Sequence, residues 1–380
     1  MSMAVFHFVP ELFRTIAAFA LVLGVLVFIH EMGHYLAARW RGVYVEAFSI
    51  GFGRALASWT DRRGTVWKLA WLPLGGYVKL HGQERPEDVS DEVRAAWRPG
   101  FTFHEKSVGS RAIIVAAGPI ANFILAIVLF AGLFAAVGRP VAVPVVREIM
   151  PNSAASAAGL MVGDRIDLID GEAIHRFEDI QRIVSVHAGV PIALTVHRGQ
   201  TDIALSATPL PNGAGTGSKG GAGSTGVLGV RGGTLVFEPI SPIAAIPAGV
   251  VQTWEVARDT LVGLWTMISG RGSTDDLGGP LRIAQLSGQV AQLGFGSLVS
   301  FIAVLSVNLG LINLFPIPVL DGGHLLFYFA EALRGRPLPQ RALEYGFRAG
   351  FAVLIALFMF ATWNDLSHFG LVKWVAGLIG

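Results

Sequence analysis

From Ala112 to Val137 the chain carries no ionisable side chain. At about 1.5 Å per residue, an apolar run of that length is enough to cross a bilayer as a tilted helix. Three more charge gaps follow the same logic, because an ionised group in hydrocarbon is costly and charges therefore bound membrane spans. They are Thr15 to His30, the stretch between Arg282 and Asp321 with its most apolar part from Leu298 to Phe315, and a shorter run from Ala349 to Trp363. Composition agrees: hydrophobic residues make up 52% and charged residues 15%, against roughly 25% charged in soluble proteins, and the mean hydropathy is +0.56. The fold class expected is a polytopic α-helical membrane protein with about four transmembrane helices. Lys+Arg 29 against Asp+Glu 27 leaves a net charge of +2, so no basic excess supports a nucleic-acid partner. The chain has no Cys, which excludes disulfide frameworks, thiolate nucleophiles and Cys-type zinc sites. Any metal must be held by His and carboxylate.

Residues 1–10 have neither a basic leader nor a following small-residue cleavage site, so the first apolar helix reads as retained rather than cleaved. Orientation follows from Lys and Arg in the loops. Residues 39–111 carry twelve of them, and residues 319–348 carry Arg334, Arg336, Arg341 and Arg348; both loops are expected on the cytoplasmic side. A multi-pass membrane protein is expected, with both termini and the large insert on the face opposite these loops. The expected order is a first transmembrane helix at 1–38, a cytoplasmic-side β-loop and amphipathic segment at 39–111, and a second helix at 112–138. An inserted domain follows at 139–240, with a Gly-rich loop at 210–226. It is read as α+β because short β-branched runs alternate with a polar helical stretch. Then come an amphipathic membrane-surface segment at 241–297, a third helix at 298–323, a cytoplasmic loop at 324–348, and a fourth helix with a tail at 349–380.

The most informative stretch is His30-Glu31-Met32-Gly33-His34. On a helix, His30 and His34 lie one turn apart on one face and can reach one Zn²⁺, while Glu31 sits beside them as a proton acceptor. With 10 His in 380 residues, chance supplies on the order of 0.01 such patterns. A catalytic zinc needs a third protein ligand and an open position. The remaining His residues, Glu46, Glu331, Asp365 and Asp321 are candidates. Asp321 is preferred, because it ends a charge-free stretch in which Pro316 and Pro318 must break the helix, and a carboxylate there needs a counter-charge. Zinc lowers the pKa of bound water to about 7, Glu31 takes the proton, and the hydroxide attacks a polarised carbonyl; peptide hydrolysis is the predicted reaction. Asn313, polar within an apolar helix, is a candidate for steadying the substrate, and a helix-to-helix hydrogen bond is the other use for its amide.

These residues resemble the bacterial site-2 protease family of intramembrane zinc metalloproteases, of the regulator-of-sigma-E protease type, over nearly the whole chain. His30 to His34 is similar to that family's HExxH. Asn313, Pro316, Pro318 and Leu320-Asp321-Gly322 are similar to its Asn-x-x-Pro-x-Pro-x-Leu-Asp-Gly segment. Gly51-Phe52-Gly53 and Pro73 to Lys79 resemble its membrane-associated β-loop, and Gly118-Pro119-Ile120-Ala121-Asn122 its second-helix motif. The resemblance implies zinc on His30, His34 and Asp321, Glu31 as general base, and Asn313 in substrate positioning. It implies β-loop residues Gly51, Phe52, Gly53, Gly75 and Gly76 against the substrate, and single-pass transmembrane proteins, such as anti-sigma factors or remnant signal peptides, as substrates within the lipid bilayer. An edge strand of the β-loop, read along Val66 to Leu72, can hold an unwound substrate by strand addition.

Pro151 to Gly171 resembles the core of a circularly permuted PDZ domain. The resemblance implies a groove around Ala158, Gly159, Leu160, Gly163 and Asp164 that takes a peptide or chain end. One copy is visible where several relatives carry two, which puts a paired size filter in doubt. Leu277-Gly-Gly-Pro280 resembles a segment that precedes the third helix in this family, with no role derivable from its residues. Two other readings stand beside the protease: a metal-ion transporter using the same ligands, and a catalytically silent PDZ scaffold for membrane proteins. The transporter lacks a second ligand set and inverted repeats, and the scaffold leaves Glu31 unexplained.

Overall fold

The computed structural model describes residues 2–84, 89–211, 225–270 and 278–368. Most of the Gly-rich loop expected at 210–226, Leu277, and the tail with Trp374 lie outside the described residues. The chain forms two compact units, one of residues 1–133 with 246–380 and the other of residues 134–245.

In the first unit, α1 (Ser2–Trp40) leads into strands β1 (Val45–Thr60) and β2 (Val66–Leu80), the short α2 (Asp91–Ala95) and α3 (Val108–Val137). Among the described residues, four helices are long and apolar enough to cross a membrane: Pro10–Trp40, Val108–Val137, Phe295–Leu314 and Gln340–Ser367. Val22 and Leu26 of α1 are buried against Ile302. Tyr35, Ala38, Phe48, Leu80 and Ile114 form a second core that ties α1, the β-strands and α3 together.

The β-strands fold back into four segments. Val45↔Leu80, Phe48↔Val78 and Ile50↔Gly76 pair one way, and Ala55↔Ala70 and Thr60↔Val66 pair another. Residues 47–50 also lie beside 66–69 with both segments running in the same direction, as in Ala47↔Val66 and Ile50↔Leu69. The spatial order is therefore 76–80, 45–50, 66–69, 55–60. This corrects the expectation of an edge along Val66 to Leu72: residues 66–69 have neighbours on both sides, and the segment 76–80 is an edge.

The second unit holds β3 (Arg139–Ile149), α4 (Ala154–Ala157), β4 (Arg165–Ile169), β5 (Glu172–Ala173), α5 (Phe177–Ser185), β6 (Ile192–Arg198), β7 (Thr201–Ala207), β8 (Leu210–Pro211), β9 (Gly226–Val227) and β10 (Val230–Glu238). The main sheet has the order β10-β3-β4-β6-β7. Phe177, Ile180, Ile183 and Val184 of α5 recur at helical spacing and are buried with Ile166, Ile169, Ile192, Leu194 and Val196 of the sheet.

The remaining elements are α6 (Pro242–Ile268), α7 (Pro280–Gln292), α8 (Phe295–Leu314), α9 (Asp321–Arg334) and α10 (Gln340–His368). Residues 241–297, expected as an amphipathic surface segment, are thus mainly two helices. The α6 helix packs along α3 and α8: a Cβ on Gly249 would meet the Ile127 carbonyl oxygen at 2.8 Å, and Thr260 Oγ1 donates to Asn308 Oδ1 at 2.9 Å. The third helix stops at Leu314 rather than running to 323, because neither Pro316 nor Pro318 can donate a helical N–H. The loop expected at 324–348 is largely helix, since α9 starts at Asp321 and α10 begins at Gln340.

Candidate active site

Helical periodicity brings His30 and His34 onto one face of α1, with their Nε2 atoms 3.2 Å apart. Asp321, at the first residue of α9, brings its Oδ2 to 3.2 Å from His30 Nε2 and 3.5 Å from His34 Nε2. That oxygen is buried and has no hydrogen-bond donor in acceptable geometry. Three ligand atoms within 4.8 Å of one another, one of them an unsatisfied buried carboxylate oxygen, are arranged to surround a cation. Two imidazoles and one carboxylate suit Zn²⁺ with an open fourth position, and suit poorly the all-oxygen sites of Mg²⁺ or Ca²⁺. Glu31 is buried, with 9% of its surface exposed.

The three ligand candidates, Glu31 and Asn313 line one cavity of about 830 Å³ together with Phe52, Gly75, Gly76, Tyr77 and Val78. The small size of two of these residues is a packing requirement. A Cβ on Gly76 would lie 2.6 Å from the Ser49 carbonyl oxygen and 3.0 Å from Glu31 Cγ, and one on Gly75 would lie 2.5 Å from the Phe52 ring. Gly51 and Gly53 lie against Leu72 and Trp71 instead, and neither lines the cavity.

The structure separates the candidate third ligands. Glu46 is engaged by Lys79 at 2.7 Å and His81 at 2.8 Å. Burial acts to raise its pKa, but the hydrogen bonds from Lys79 and His81 outweigh that and hold it below the usual carboxylate range. Glu331 is paired with Arg111 at 2.6 Å, and Asp365 accepts main-chain N–H groups at the start of α7. Only Asp321 of these carboxylates joins the histidine pair among the described residues.

The family model for "Peptidase family M50" matches residues 18–357. The chain belongs to peptidase family M50. A protein of Rhizobium meliloti (strain 1021) named "Putative zinc metalloprotease R01501" is 47% identical over 360 residues, covering 93% of this chain and 96% of that one. Metalloprotease MmpA of Caulobacter vibrioides is 38% identical, covering 94% and 96%. Regulator of sigma-E protease RseP of Salmonella typhimurium is 33% identical, covering 93% and 98%. This M50 protein is an intramembrane zinc metalloprotease. A PDZ domain of an SdrC-like protein from Listeria monocytogenes covers 24% of this chain at 19% identity and a TM-score of 0.19, too low to carry a fold assignment.

Around the site of the M50 protease lie residues whose individual roles are not legible in the sequence. Asn122 of α3 is fully buried, with Nδ2 3.2 Å from His30 Nδ1. His34 Nδ1 lies 2.9 Å from the Ile114 carbonyl oxygen. In the sequence Asn122 is a polar residue within an apolar helix and the last residue of the Gly118 to Asn122 motif, and neither signal says where the amide points.

In the second unit, the proposed groove residues are mostly structural. The Asp164 carboxylate takes Arg198 Nε and Nη2, both at 2.7 Å, and the Met161 N–H at 2.8 Å. Leu160 is in the core. Gly163 has φ +97°, a turn conformation that glycine adopts without strain, and the Gly159 carbonyl accepts from Arg198. A cavity of about 580 Å³ lies instead along Asn152 to Ala158 and Ser206 to Leu210, so of the five residues only Ala158 lines it.

Proposed function

We propose that His30, His34 and Asp321 hold the catalytic zinc, that Glu31 is the general base, and that the substrates are single-pass membrane proteins cut in or near their transmembrane segments. The convergence of His30 Nε2, His34 Nε2 and Asp321 Oδ2 beside buried Glu31 carries this reading. Bound zinc supplies Lewis acidity, polarising a carbonyl and acidifying water. Glu31 accepts the proton of the attacking water and passes it to the departing amide nitrogen. Asn313, half-buried on the cavity wall, donates its amide N–H to the substrate backbone and holds the carbonyl in place.

The edge segment 76–80 aligns the substrate. A transmembrane helix hides its carbonyls, so it must be unwound before attack, and a strand edge that lines the cavity receives the extended chain through main-chain hydrogen bonds. Leu56, Trp59 and Trp71, exposed on the same hairpin, face lipid in this reading.

The protease sits in the bacterial inner membrane. The basic stretch 39–111 follows the end of α1 that carries the ligands, so the positive-inside rule puts the site towards the cytoplasm and the insert, with both termini, on the periplasmic side. The insert acts as a PDZ domain that takes a peptide or chain end and restrains access. Deleting residues 141–237 is expected to deregulate cutting and leave zinc binding intact.

The test is cleavage of a tagged single-pass membrane protein by the purified full-length chain and by Glu31→Gln. Loss of a general base costs 10²- to 10⁴-fold, so a fall of at least about 100-fold with zinc retained is expected. Equal cleavage by the variant would overturn the reading.

A further inference from the structure

Both imidazoles can offer Nε2 to a metal only if each neutral ring carries its proton on Nδ1, and the structure treats the two rings differently. For His34 the Ile114 carbonyl oxygen at 2.9 Å can only accept, so it fixes the proton on Nδ1 and leaves Nε2 bare. The partner of His30 Nδ1 is an amide, that of Asn122 at 3.2 Å. With Nδ2 facing the ring, two conflicts arise. Two donors would meet once His30 carries its proton on Nδ1, and Asn122 Oδ1 stays buried without a hydrogen bond. Turning the amide by 180° leaves its volume unchanged, removes the meeting of two donors and gives Oδ1 a partner, because Oδ1 then accepts from Nδ1–H.

We infer that Asn122 is a positioning residue for the zinc ligand His30: its Oδ1 accepts the Nδ1 proton, locks the tautomer that presents Nε2, and so raises affinity for the metal. The inference rests on the assignment of His30, His34 and Asp321 as ligands. Asn122 is well placed for this. It is fully buried, and its main-chain carbonyl is tied to α8 by a 2.7 Å hydrogen bond from Ser306. The side chain therefore starts from a fixed backbone. Groups behind a ligand of this kind are worth about 10- to 100-fold in metal affinity.

The experiment measures zinc affinity of the purified full-length protein by competition with a graded chelator, reading zinc content rather than cleavage. The Co²⁺-substituted absorption spectrum serves as a second readout. Asn122→Leu keeps most of the volume and removes the acceptor; about 10- to 100-fold weaker zinc binding and an altered Co²⁺ spectrum are expected. Asn122→Asp restores an acceptor and is expected to bind zinc at least as tightly as the parent, a rescue that a packing role would not produce. Should Asn122→Leu fail to accumulate, Asn122→Ala adds no volume and carries the same expectation. Parental zinc affinity in folded Asn122→Leu, or an equal loss in Asn122→Asp, would overturn the inference. A parent that keeps its zinc when His34→Ala and Asp321→Ala are introduced would instead overturn the ligand assignment beneath it.

Discussion

A Cβ on Gly118 of α3 would lie 2.3 Å from Nε2 of His34 on α1. The Nε2–Cε1 edge of His34 and the Cε1 of His30 are therefore packed directly against the second apolar helix, and only a residue without a side chain fits there. On the other helix, a Cβ on Gly33 would lie 2.2 Å from the Ala117 carbonyl oxygen, so the closeness is built from both sides. Small residues are how membrane helices approach this nearly. Gly118→Ala is expected to push the imidazoles off their ligand positions. A displacement of about 1 Å can cost about 100-fold in rate, so kcat/KM on a single-pass substrate should fall by that order, with zinc content reduced in parallel. Unchanged zinc content and rate would mean that the helices move apart at no cost.

The turn that delivers Asp321 carries strain. Val319 has φ +105°, a region in which a β-branched residue is an outlier costing about 1–3 kcal/mol. The α10 helix holds the turn closed, since a Cβ on Gly350 would come against the Pro318 carbonyl oxygen. Val319→Gly relieves the strain, offset by the greater backbone freedom of glycine when unfolded, about 0.5–1 kcal/mol. The net expectation is a rise in melting temperature worth about 1 kcal/mol together with weaker zinc binding, as the carboxylate is held less firmly. A fall in melting temperature would contradict the strain assignment.

Asp365 of α10 is 1% exposed and accepts the N–H groups of Gly279, Leu281 and Arg282 at 2.8, 3.0 and 3.1 Å. A carboxylate at a helix start stabilises the first-turn N–H groups and the positive end of the helix dipole. It gives the Gly-Gly-Pro segment before the third apolar helix a physical role, as the buried docking point of α7 on α10. Asp365→Ala leaves those donors unpaired and is expected to cost about 2 kcal/mol, read as a lower melting temperature and faster amide exchange in α7. Parental exchange in α7 would count against the docking role.

In the insert, the hydrogen bonds from Arg198 hold the Asp164 carboxyl below the ordinary carboxylate range. Its folded pKa is thus lower than the unfolded value of about 3.9. The stabilisation is present above that unfolded value and is lost as pH falls through the folded one. The protection of amides in β4 and β6 of the full-length protein, taken as exchange relative to the intrinsic rate at each pH, should fall from pH 6 to pH 3. Asp164→Asn should flatten that dependence and cost about 2 kcal/mol at neutral pH. The same acid slope in the variant would assign the pH response to other groups.

How much of this was legible depended on whether the signal was local. His30, Glu31 and His34 sit within one helical turn, so their spacing alone carried the geometry. Asp321 was reachable because Pro316 and Pro318 mark the helix break beside it. Asn122 was not, because an amide in an apolar helix can point to any neighbour, and its partner His30 is 92 positions away. Charge gaps reported apolar length rather than helix ends. They stopped the fourth span at Ala349, although α10 begins at Gln340 and carries a Glu344 to Arg348 pair on its exposed first turns. They were also blind to α9, which is too short and too polar to be a span. The β-loop strands were visible as alternation, but the edge depended on how the hairpin doubles back, which no residue pattern records.

The most direct measurement is X-ray absorption at the zinc edge on the purified, zinc-loaded protein, compared with Asp321→Ala. A four-coordinate site with two imidazole nitrogens and oxygen ligands at about 2.0–2.2 Å is expected, with the loss of one oxygen ligand and most of the zinc affinity in the variant. A zinc shell unchanged by Asp321→Ala, or one without two imidazoles, would contradict the ligand assignment.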